Sequence, residues 1–341
     1  HKFSQAAAGQ GLRLPEYVFG QSVTGAFLDS AVLNEIGKDV ILRPDPATCR
    51  LVPWYSEPTA QIIHDAFDHD GSIVPFSPRA VLKRVLALFE SAGLRPIVAP
   101  ELEFFLVQQS ADANSPLATP SGRSGRAEKA RQAYGIDAVN EFDPLFEDIY
   151  DHCEVQKIDI DTLSHEAGAA QMEINFNHGE ALELADQTFL FKRTVRQTSL
   201  DHNVHATFMA KPMQEQPGSA MHLHVSVVDI ESGRNLFVNE DSSESDQFYH
   251  ALAGMQRYLV AAMPLMAPYV NSYRRQSNSE DSPTNLAWGM DNRTVGLRVP
   301  MGDAANRRIE NRIPGADANP YLAMAATLAA LWLGLQEQRR P

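Results

Sequence analysis

Two apolar segments of the chain each carry a pair of polar side chains two residues apart. In PELEFFLV these are Glu101 and Glu103, and in GSAMHLHVSV they are His222 and His224. Side chains at positions i and i+2 of an extended chain project from the same face. Each segment therefore predicts a strand that has two carboxylates or two imidazoles on one face and apolar residues on the other.

The two acids are compatible with two kinds of strand. On an exposed edge strand Glu101 and Glu103 would be solvated, whereas on an interior strand, which their apolar neighbours favour, they would need cations between them. A histidine pair can likewise be hydrogen-bonded core residues or metal ligands. Three further acids in strand-like or adjacent segments favour the metal alternative: Glu166, Glu173 and Glu310. Five glutamates with one imidazole suit a pair of hard divalent cations, either Mg²⁺ or Mn²⁺.

Five arginines in the last third of the chain could hold carboxylate or phosphate groups in bidentate fashion. They are Arg275, Arg293, Arg298, Arg308 and Arg312. The alternative is surface solvation, which is the usual environment of arginine. The chain has no GxGxxG or GxxxxGK[ST] phosphate loop. We therefore expect phosphate to be bound by arginines and metal ions.

Strand-like and helical segments alternate unevenly, which predicts an α+β fold rather than a regular βαβ array. Up to about Phe76, short apolar runs separated by Pro and Gly predict small antiparallel strands. A helix is predicted from Ser77, as N-cap, to Gly93, and it opens a larger domain. A last helix is capped by Asn319. Its apolar face is predicted to consist of Leu322, Ala325, Ala326 and Leu333.

Charge and cysteine content exclude several classes of protein. The formal net charge of −14 disfavours binding to nucleic acid or to an anionic membrane. Cys49 and Cys153 lie far apart and predict neither a disulfide framework nor a thiolate metal site, which fits a reducing cytoplasm. No apolar run reaches the ~20 residues that span a bilayer, and no signal-peptide pattern is present. We expect a soluble, cytoplasmic protein.

Six motifs, taken in order, resemble the glutamine synthetase superfamily over about residues 15–335. They are PELEFFLV, SHEAGAAQMEI, GSAMHLHVS, NSYRR, NRTVGLRVP and RIENRIPGADANPYLAMAA. The resemblance is strongest to the branch that makes γ-glutamyl amides of polyamines or monoamines. It implies that residues 1–75 are part of a β-grasp domain and that residues 76–341 form a catalytic domain with a curved antiparallel sheet, whose C-terminal part this chain lacks. It also implies homo-oligomeric rings, hexameric or dodecameric, with active sites between adjacent subunits.

The same resemblance assigns roles to single residues. It implies metal ligands in two sets, Glu103, Glu166 and Glu173 for one ion and Glu101, His222 and Glu310 for the other. It implies contacts to ATP or to the transferred phosphate by His224, Ser226, Arg293, Arg298 and Arg308. It implies binding of glutamate by Gly218, Arg275 and Arg312. In the implied reaction, ATP phosphorylates the γ-carboxylate of glutamate and a nitrogen nucleophile then displaces the phosphate.

The expected amine pocket departs from ammonia-using members of the family. Where their small domain reads roughly FDGSS, this chain reads VFGQSVTG, so that Phe19 replaces an aspartate and forms the pocket with Ser22. On the flap that follows NSYRR, the catalytic acid is expected to be Asp281 or Glu280, acting with Arg293. A phenyl ring in place of an anion favours an organic amine over ammonium. An ammonia-using glutamine synthetase and an inactive structural or regulatory relative remain the alternatives.

Overall fold

The computed structural model describes residues 11–22, 24–27, 37–110, 112, 114–277 and 282–341. Within them strands and helices alternate irregularly, so the α+β prediction is confirmed. The α-helices are α1 (Pro78–Ser91), α2 (Ile136–Asn140), α3 (Asp143–Val155), α4 (Ala181–Asp201), α5 (Asp246–Tyr258), α6 (Met263–Met266), α7 (Val270–Ser277) and α8 (Pro320–Glu337). The strands are β1 (Leu12–Pro15), β2 (Asp39–Pro44), β3 (Arg50–Leu51), β4 (Ala60–Gln61), β5 (His64–Phe67), β6 (Leu94–Gln108), β7 (Ile160–His165), β8 (Gln171–Phe176), β9 (Gly179–Glu180), β10 (Val204–Thr207), β11 (Met221–Asp229), β12 (Trp288–Met290), β13 (Leu297–Val299) and β14 (Ile309–Asn311). None of these helices combines the length and the hydropathy that a membrane span needs.

The N-terminal region forms small antiparallel sheets, as predicted. Strands β1, β2 and β5 form one sheet in the order β1-β2-β5, and β3 pairs with β4 in a second. Val40, Ala66 and Val74 make a small core that is separate from the main one. That this region is part of a β-grasp domain stays a prediction.

The large sheet has nine strands, and β6 lies in its interior. The main path runs β12-β13-β14-β11-β6-β8-β7, with β9 and β10 also paired to β6. The pairs are antiparallel except β12–β13, which is parallel and therefore differs from the implied all-antiparallel sheet. Because β6 has partners on both sides, Glu101 and Glu103 do not lie on an exposed edge strand, and that alternative is wrong.

The two faces of β6 have different environments. Leu102, Phe104 and Leu106 belong to the main hydrophobic core, and helices α1 and α4 pack against the strand. Glu101 and Glu103 alternate with these residues and project from the opposite face. The helices thus leave the polar face of the sheet free to form a site.

The last helix is capped as predicted, but its burial is more extensive. The Asn319 side chain accepts hydrogen bonds from the N–H groups of Tyr321 and Leu322 at 3.0 and 3.2 Å. Helix α8 packs against α1, α4 and α5 and is buried on most sides. Leu333 nevertheless has 40% of its surface exposed, so its assignment to the buried face is wrong. Ser77 precedes α1, as predicted, without a side-chain capping bond.

One arginine at the start of α1 joins the small three-stranded sheet to helix α4. The buried Arg79 guanidinium donates to Asp65 of β5 at 3.0 Å, to Asp45 after β2 at 2.7 Å, and to Asp186 of α4 at 2.8 and 2.9 Å. The Tyr321 hydroxyl of α8 donates to Asp186 at 2.7 Å. Charge-assisted bonds of this kind are stronger than neutral ones. The small sheet is therefore held against α4 through a buried ionic network.

Candidate active site

Strand register brings the predicted ligands together on one face of the large sheet. Glu103 of β6 lies directly opposite Glu173 of β8. Glu101, two residues earlier, lies opposite His222 of β11. Facing residues in a sheet have Cβ atoms about 5 Å apart. The i, i+2 pairs that the sequence predicted separately therefore belong to one cluster.

The cluster continues across two further strands. His224 lies opposite Glu310 of β14, and Glu310 lies opposite Arg298 of β13. The fully buried Glu310 accepts from Arg298 at 2.7 Å and from Arg312 at 2.5 Å. Two arginines thus neutralise the carboxylate of Glu310. Both of these arginines were predicted to contact substrate.

Hydrogen bonds orient both imidazoles. Arg308 Nε donates to His224 Nδ1 at 3.0 Å, so the Nε2 of that ring carries the proton and donates to Glu101 at 2.7 Å. His222 Nδ1 faces the other Glu101 oxygen at 3.3 Å. The His222 Nε2 atom is buried and has no hydrogen-bond partner among the described residues. That nitrogen is available as a metal ligand.

Among the residues that the structure describes, two groups of side chains have ligand atoms within 4.8 Å of one another. One comprises Glu101, Glu173 and His222, and the other comprises Glu101, His224 and Glu310. The grouping differs from the predicted sets, because Glu173 is the diagonal neighbour of Glu101 across the β6–β8 pair as well as facing Glu103. The donor set of carboxylates with imidazole fits Mg²⁺ or Mn²⁺. The division of the ligands between two ions stays a prediction.

Burial disfavours ionisation of two acids of the cluster. Burial and the neighbouring Glu166 raise the pKa of Glu103 to about 8, although Oε2 of Glu103 accepts from the Ala220 N–H at 2.9 Å. Burial and the surrounding carboxylates raise the pKa of Glu173 well above its ordinary value. A divalent cation among these oxygens would favour their charged forms.

Two neighbouring groups are shifted in the opposite direction. Burial opposes ionisation of Glu101, but hydrogen bonds from His222 and His224 outweigh it and lower the pKa of that carboxyl. Burial and the charge of Arg312 lower the pKa of His222 to about 4. His222 is therefore neutral at pH 7, which is the form that binds a metal.

Two cavities meet at this cluster. The larger, about 940 Å³, is lined by the predicted nucleotide contacts His224, Ser226 and Arg308. The smaller, about 550 Å³, is lined by most of the other predicted residues, namely Glu103, Glu166, Glu173, Gly218, His222, Arg275, Arg293, Arg298 and Arg312. The predicted ligand Glu310 lines neither cavity. Glu101 and Asn175 line both cavities and mark their border.

Arg275 reaches the smaller cavity from a fully buried position. Its two terminal nitrogens donate to the carbonyl oxygens of Ile313 and Arg312 at 2.8 and 3.0 Å. A Cβ atom on Gly218 would lie 2.4 Å from Arg275 Cγ, so only glycine permits this approach. Surface solvation is thus wrong for Arg275, whereas Arg293 is exposed at the rim of the cavity.

Three residues that the sequence analysis missed line the same cavities. Gln171 donates to Glu103 at 3.2 Å and to the Gly218 carbonyl at 2.9 Å, and Asn175 has a buried Oδ1 without a partner among the described residues. Both share the face of β8 that carries Glu173, so the i, i+2 rule could have identified them. Tyr134 is exposed at the smaller cavity with a φ of 61°, and no sequence pattern indicated it.

The predicted amine pocket is only partly described. Glu280 and Asp281 lie outside the described residues, although the following Ser282 lines the smaller cavity. Phe19 packs in the small domain, with its ring 5.7 Å from that of Phe76, and the Ser22 hydroxyl accepts from a backbone N–H within its own turn. Neither lines the two cavities of this chain. Their role opposite a neighbouring subunit's site stays a prediction.

Binding of a divalent cation is expected to stabilise the fold. Without the ion, burial and the neighbouring carboxylates disfavour the charged forms of Glu103 and Glu173. Restoring the ion at about 100 times its Kd should add about 2.7 kcal/mol to the free energy of unfolding. The measurement is the thermal midpoint of chelated protein with and without added Mg²⁺, and Glu173→Gln should reduce the increase. An unchanged midpoint, with metal removal verified by elemental analysis, would contradict the site.

Comparison with known proteins agrees with the geometry. The family model described as "Glutamine synthetase, catalytic domain" matches residues 75–341. The chain is 38% identical to γ-glutamylputrescine synthetase of Escherichia coli over 96% of this chain and 70% of that protein. It is 31% identical to a glutamate–isopropylamine ligase of Pseudomonas sp. over 99% and 74%, and 35% identical to a glutamine synthetase of Halobacterium salinarum over 89% and 66%. A solved structure of apo GmaS superposes with a TM-score of 0.80 at 28% identity, covering 97% of this chain and 72% of that one.

Proposed function

The chain belongs to the glutamine synthetase family of ligases, and we propose that it joins the γ-carboxylate of glutamate to an organic amine, with ATP converted to ADP and phosphate. The product is a γ-glutamyl amide. We propose further that the reaction proceeds through γ-glutamyl phosphate and takes place in the cytoplasm.

The observation that carries this proposal is the pair of cavities that share Glu101 and Asn175. The larger cavity has the size for a nucleotide, and it presents an arginine and a histidine near the shared border. The smaller has the arginines and the buried carboxylates. ATP in the first and glutamate in the second would bring the γ-phosphate and the γ-carboxylate together at the acidic cluster, which is what direct phosphoryl transfer requires.

The acidic cluster would hold Mg²⁺ or Mn²⁺. Glu101, Glu173 and His222 form one candidate group, and the unpaired Nε2 of His222 supplies the nitrogen ligand. When bound, divalent ions neutralise negative charge on a phosphoryl group during its transfer. Without them, the carboxylates that remain ionised at this position would repel both substrates.

The two steps of the proposed reaction require residues of this chain to hold the substrates and to accept a proton. An oxygen of the glutamate γ-carboxylate attacks the γ-phosphorus and ADP leaves; the amine nitrogen then attacks the γ-carbonyl carbon, phosphate leaves, and a carboxylate takes the proton of the amine. Arg275 and Arg312 would hold glutamate, and Arg293 and Arg298 would stabilise charge on the phosphate. We assign the proton to Asp281 or Glu280.

Two observations favour an organic amine over ammonia. Phe19 stands where the ammonia-using pattern has an aspartate, and Tyr134 presents an aromatic surface at the smaller cavity. Relatives named for putrescine, isopropylamine and ethanolamide support the same conclusion. Other relatives are named glutamine synthetase, and ammonia is therefore the second candidate for the nitrogen substrate. Since Phe19 lies in the small domain, its part in the pocket requires an adjacent subunit, and we propose a homo-oligomeric ring.

The test is release of phosphate from ATP with glutamate, Mg²⁺ and a panel of ammonia, monoamines, diamines and aromatic amines. The best organic amine should exceed ammonia in kcat/KM by more than tenfold, or about 1.4 kcal/mol, because burial of its apolar part contributes about 25 cal/mol per Å². If ammonia is the best substrate, the protein is a glutamine synthetase. If no amine supports release, the chain is an inactive relative.

Phe19→Asp should lower the ratio of kcat/KM for the best organic amine to kcat/KM for ammonia, because the carboxylate favours ammonium and disfavours apolar amines. Because Phe19 also packs on Phe76, the variant will be less stable, but the ratio of two kcat/KM values does not depend on how much enzyme is folded. Phe27→Asp, at an exposed aromatic of the same domain, is the matched control and should leave the ratio unchanged. An unchanged ratio in Phe19→Asp would show that Phe19 does not line the amine site.

A further inference from the structure

Two loops form the outer wall of the larger cavity, and one asparagine joins them. The first loop runs from Gly233 to Glu240 and the second from Ala305 to Arg308, and residues of both line the cavity. The Asn235 side-chain amide, in the first loop, donates to two carbonyl oxygens in the second. These are the oxygens of Arg307 at 2.8 Å and Ala305 at 3.2 Å.

The Asn235 side chain is fully engaged by protein atoms. Both of its N–H groups are directed at carbonyl oxygens of the second loop, and Oδ1 accepts from the Phe237 N–H at 3.0 Å. Phe237 itself is buried in the main core. The amide of Asn235 therefore connects the second loop to a rigid part of the fold and has no N–H left to donate to a ligand.

The second loop carries a predicted phosphate contact. Arg308 Nε donates to His224 Nδ1 at 3.0 Å, and its Nη1 donates to the Asn306 carbonyl at 3.2 Å. The two carbonyls that Asn235 holds lie on either side of Asn306. A shift of this loop would therefore displace the Arg308 guanidinium. It would also break the hydrogen bond from Arg308 Nε to His224 Nδ1, which fixes the tautomer of that imidazole.

An ion pair also holds the second loop. Arg307 Nη1 lies 3.0 Å from Glu244 Oε1, with the arginine side chain mostly buried and the glutamate a quarter exposed. The Asn235 bonds are themselves only partly buried, so burial does not rank the two contacts. Asn235 bonds to two backbone carbonyls of the second loop, whereas the ion pair holds only the Arg307 side chain, so Asn235 is the contact that fixes the backbone of this loop.

We propose that Asn235 is a positioning residue for nucleotide binding: it holds the loop from Ala305 to Arg308 so that Arg308 and His224 face the phosphates of ATP. This inference rests on the proposed function, in that the larger cavity is the ATP site. The proposed role concerns binding of the nucleotide and not the chemical step. Substitution of Asn235 should therefore raise the Kd and KM for ATP while kcat changes little.

The experiment compares Asn235→Asp and Asn235→Ala with the unmodified protein. The aspartate keeps the acceptor for the Phe237 N–H but turns a carboxylate oxygen towards two carbonyls, whereas alanine removes both the donors and that acceptor without introducing a charge. We expect the Kd for ATP with Mg²⁺, measured by calorimetry without glutamate or amine, to rise at least tenfold in Asn235→Asp and about threefold to tenfold in Asn235→Ala. The KM for glutamate should stay within twofold and kcat within threefold.

The matched control is Asn271→Asp, because Asn271 joins loop atoms in the same way. Its amide accepts from the Lys211 N–H at 2.9 Å and donates to the Lys211 carbonyl at 2.8 Å, and it lines neither cavity. It should lose comparable thermal stability without a change in the Kd for ATP. Glu244→Gln weakens the ion pair to Arg307 and should raise that Kd about twofold. This result can be measured even if the Asn235 variants do not fold, and an unchanged Kd in Glu244→Gln would then count against the role of this loop.

The outcomes separate the two proposals. An unchanged Kd for ATP in a folded Asn235 variant, or equal increases in Asn235→Asp and Asn271→Asp, would refute the positioning role. Unmodified protein that binds ATP but releases no phosphate with any amine would refute the ligation alone, since the Kd is measured without turnover. Unmodified protein that does not bind ATP would refute both.

Discussion

Replacing Glu103 or His222 by alanine is expected to reduce phosphate release with every amine by at least about a thousandfold, which is the upper range for removing one transition-state contact. The two residues lie on neighbouring strands, β6 and β11, and face different parts of the cluster. Glu103→Ala removes a buried carboxylate of the smaller cavity, and His222→Ala removes the unpaired Nε2. Each is predicted to ligate a different ion, so loss of either should suffice.

Two substitutions outside the cavities serve as matched controls. His205→Ala on β10 and Glu180→Ala on β9 change exposed residues of the same types on the same sheet. Both should retain phosphate release within twofold. Circular dichroism and titration with Mn²⁺ would show that the active-site variants are folded and have lost metal affinity. Phosphate release at the unmodified rate in a folded Glu103→Ala or His222→Ala protein would refute the two-metal assignment.

Arg79→Met is expected to lower the free energy of unfolding by about 3 kcal/mol or more. The substitution leaves Asp65 and Asp186 buried without their shared guanidinium, and breaking a buried pair on one side costs about 3–5 kcal/mol. Lys83 still pairs with Asp65 and the Tyr321 hydroxyl still donates to Asp186, which keeps the loss near the lower limit.

Urea denaturation followed by tryptophan fluorescence measures this effect. Trp54 belongs to the N-terminal region, and its ring lies 4.9 Å from the Arg193 guanidinium of α4, so its fluorescence reports whether that region is packed against α4. Arg95→Met is the matched control, because Arg95 pairs with Glu180 at 3.1 Å on the surface and should contribute less than about 1 kcal/mol. Equal losses in both variants would show that the buried network contributes no more than a surface ion pair.

Much of the site was predictable from strand periodicity. The alternation in β6 and β11 predicted that Glu101 shares a face with Glu103, and His222 with His224, and the structure agrees in both strands. The same rule applied to β8 would have added Gln171 and Asn175 to Glu173. The apolar neighbours of Glu101 and Glu103 favoured an interior strand, but periodicity could not show which strands pair with β6 or in what register.

The environment of the arginines could not be predicted. Arg275 and Arg293 occur in similarly polar sequence, yet one is fully buried against Gly218 and the other is exposed at the cavity rim. No sequence motif indicated a role for Arg79, although its side chain binds carboxylates from three separate segments. A contact between residues 107 positions apart, as between Arg79 and Asp186, leaves no local pattern.

By itself the sequence determined which residues face the same side of each strand, where the main helices begin, and which family the order of motifs resembles. These are properties of neighbouring residues, and the backbone geometry of strands and helices imposes them locally. Only the tertiary structure decided that Glu101 faces His222, that Glu101 and Asn175 border two cavities, and that Asn235 holds the loop of Arg308. Those pairings depend on which distant strands and loops meet, and that is set by the packing of the whole chain.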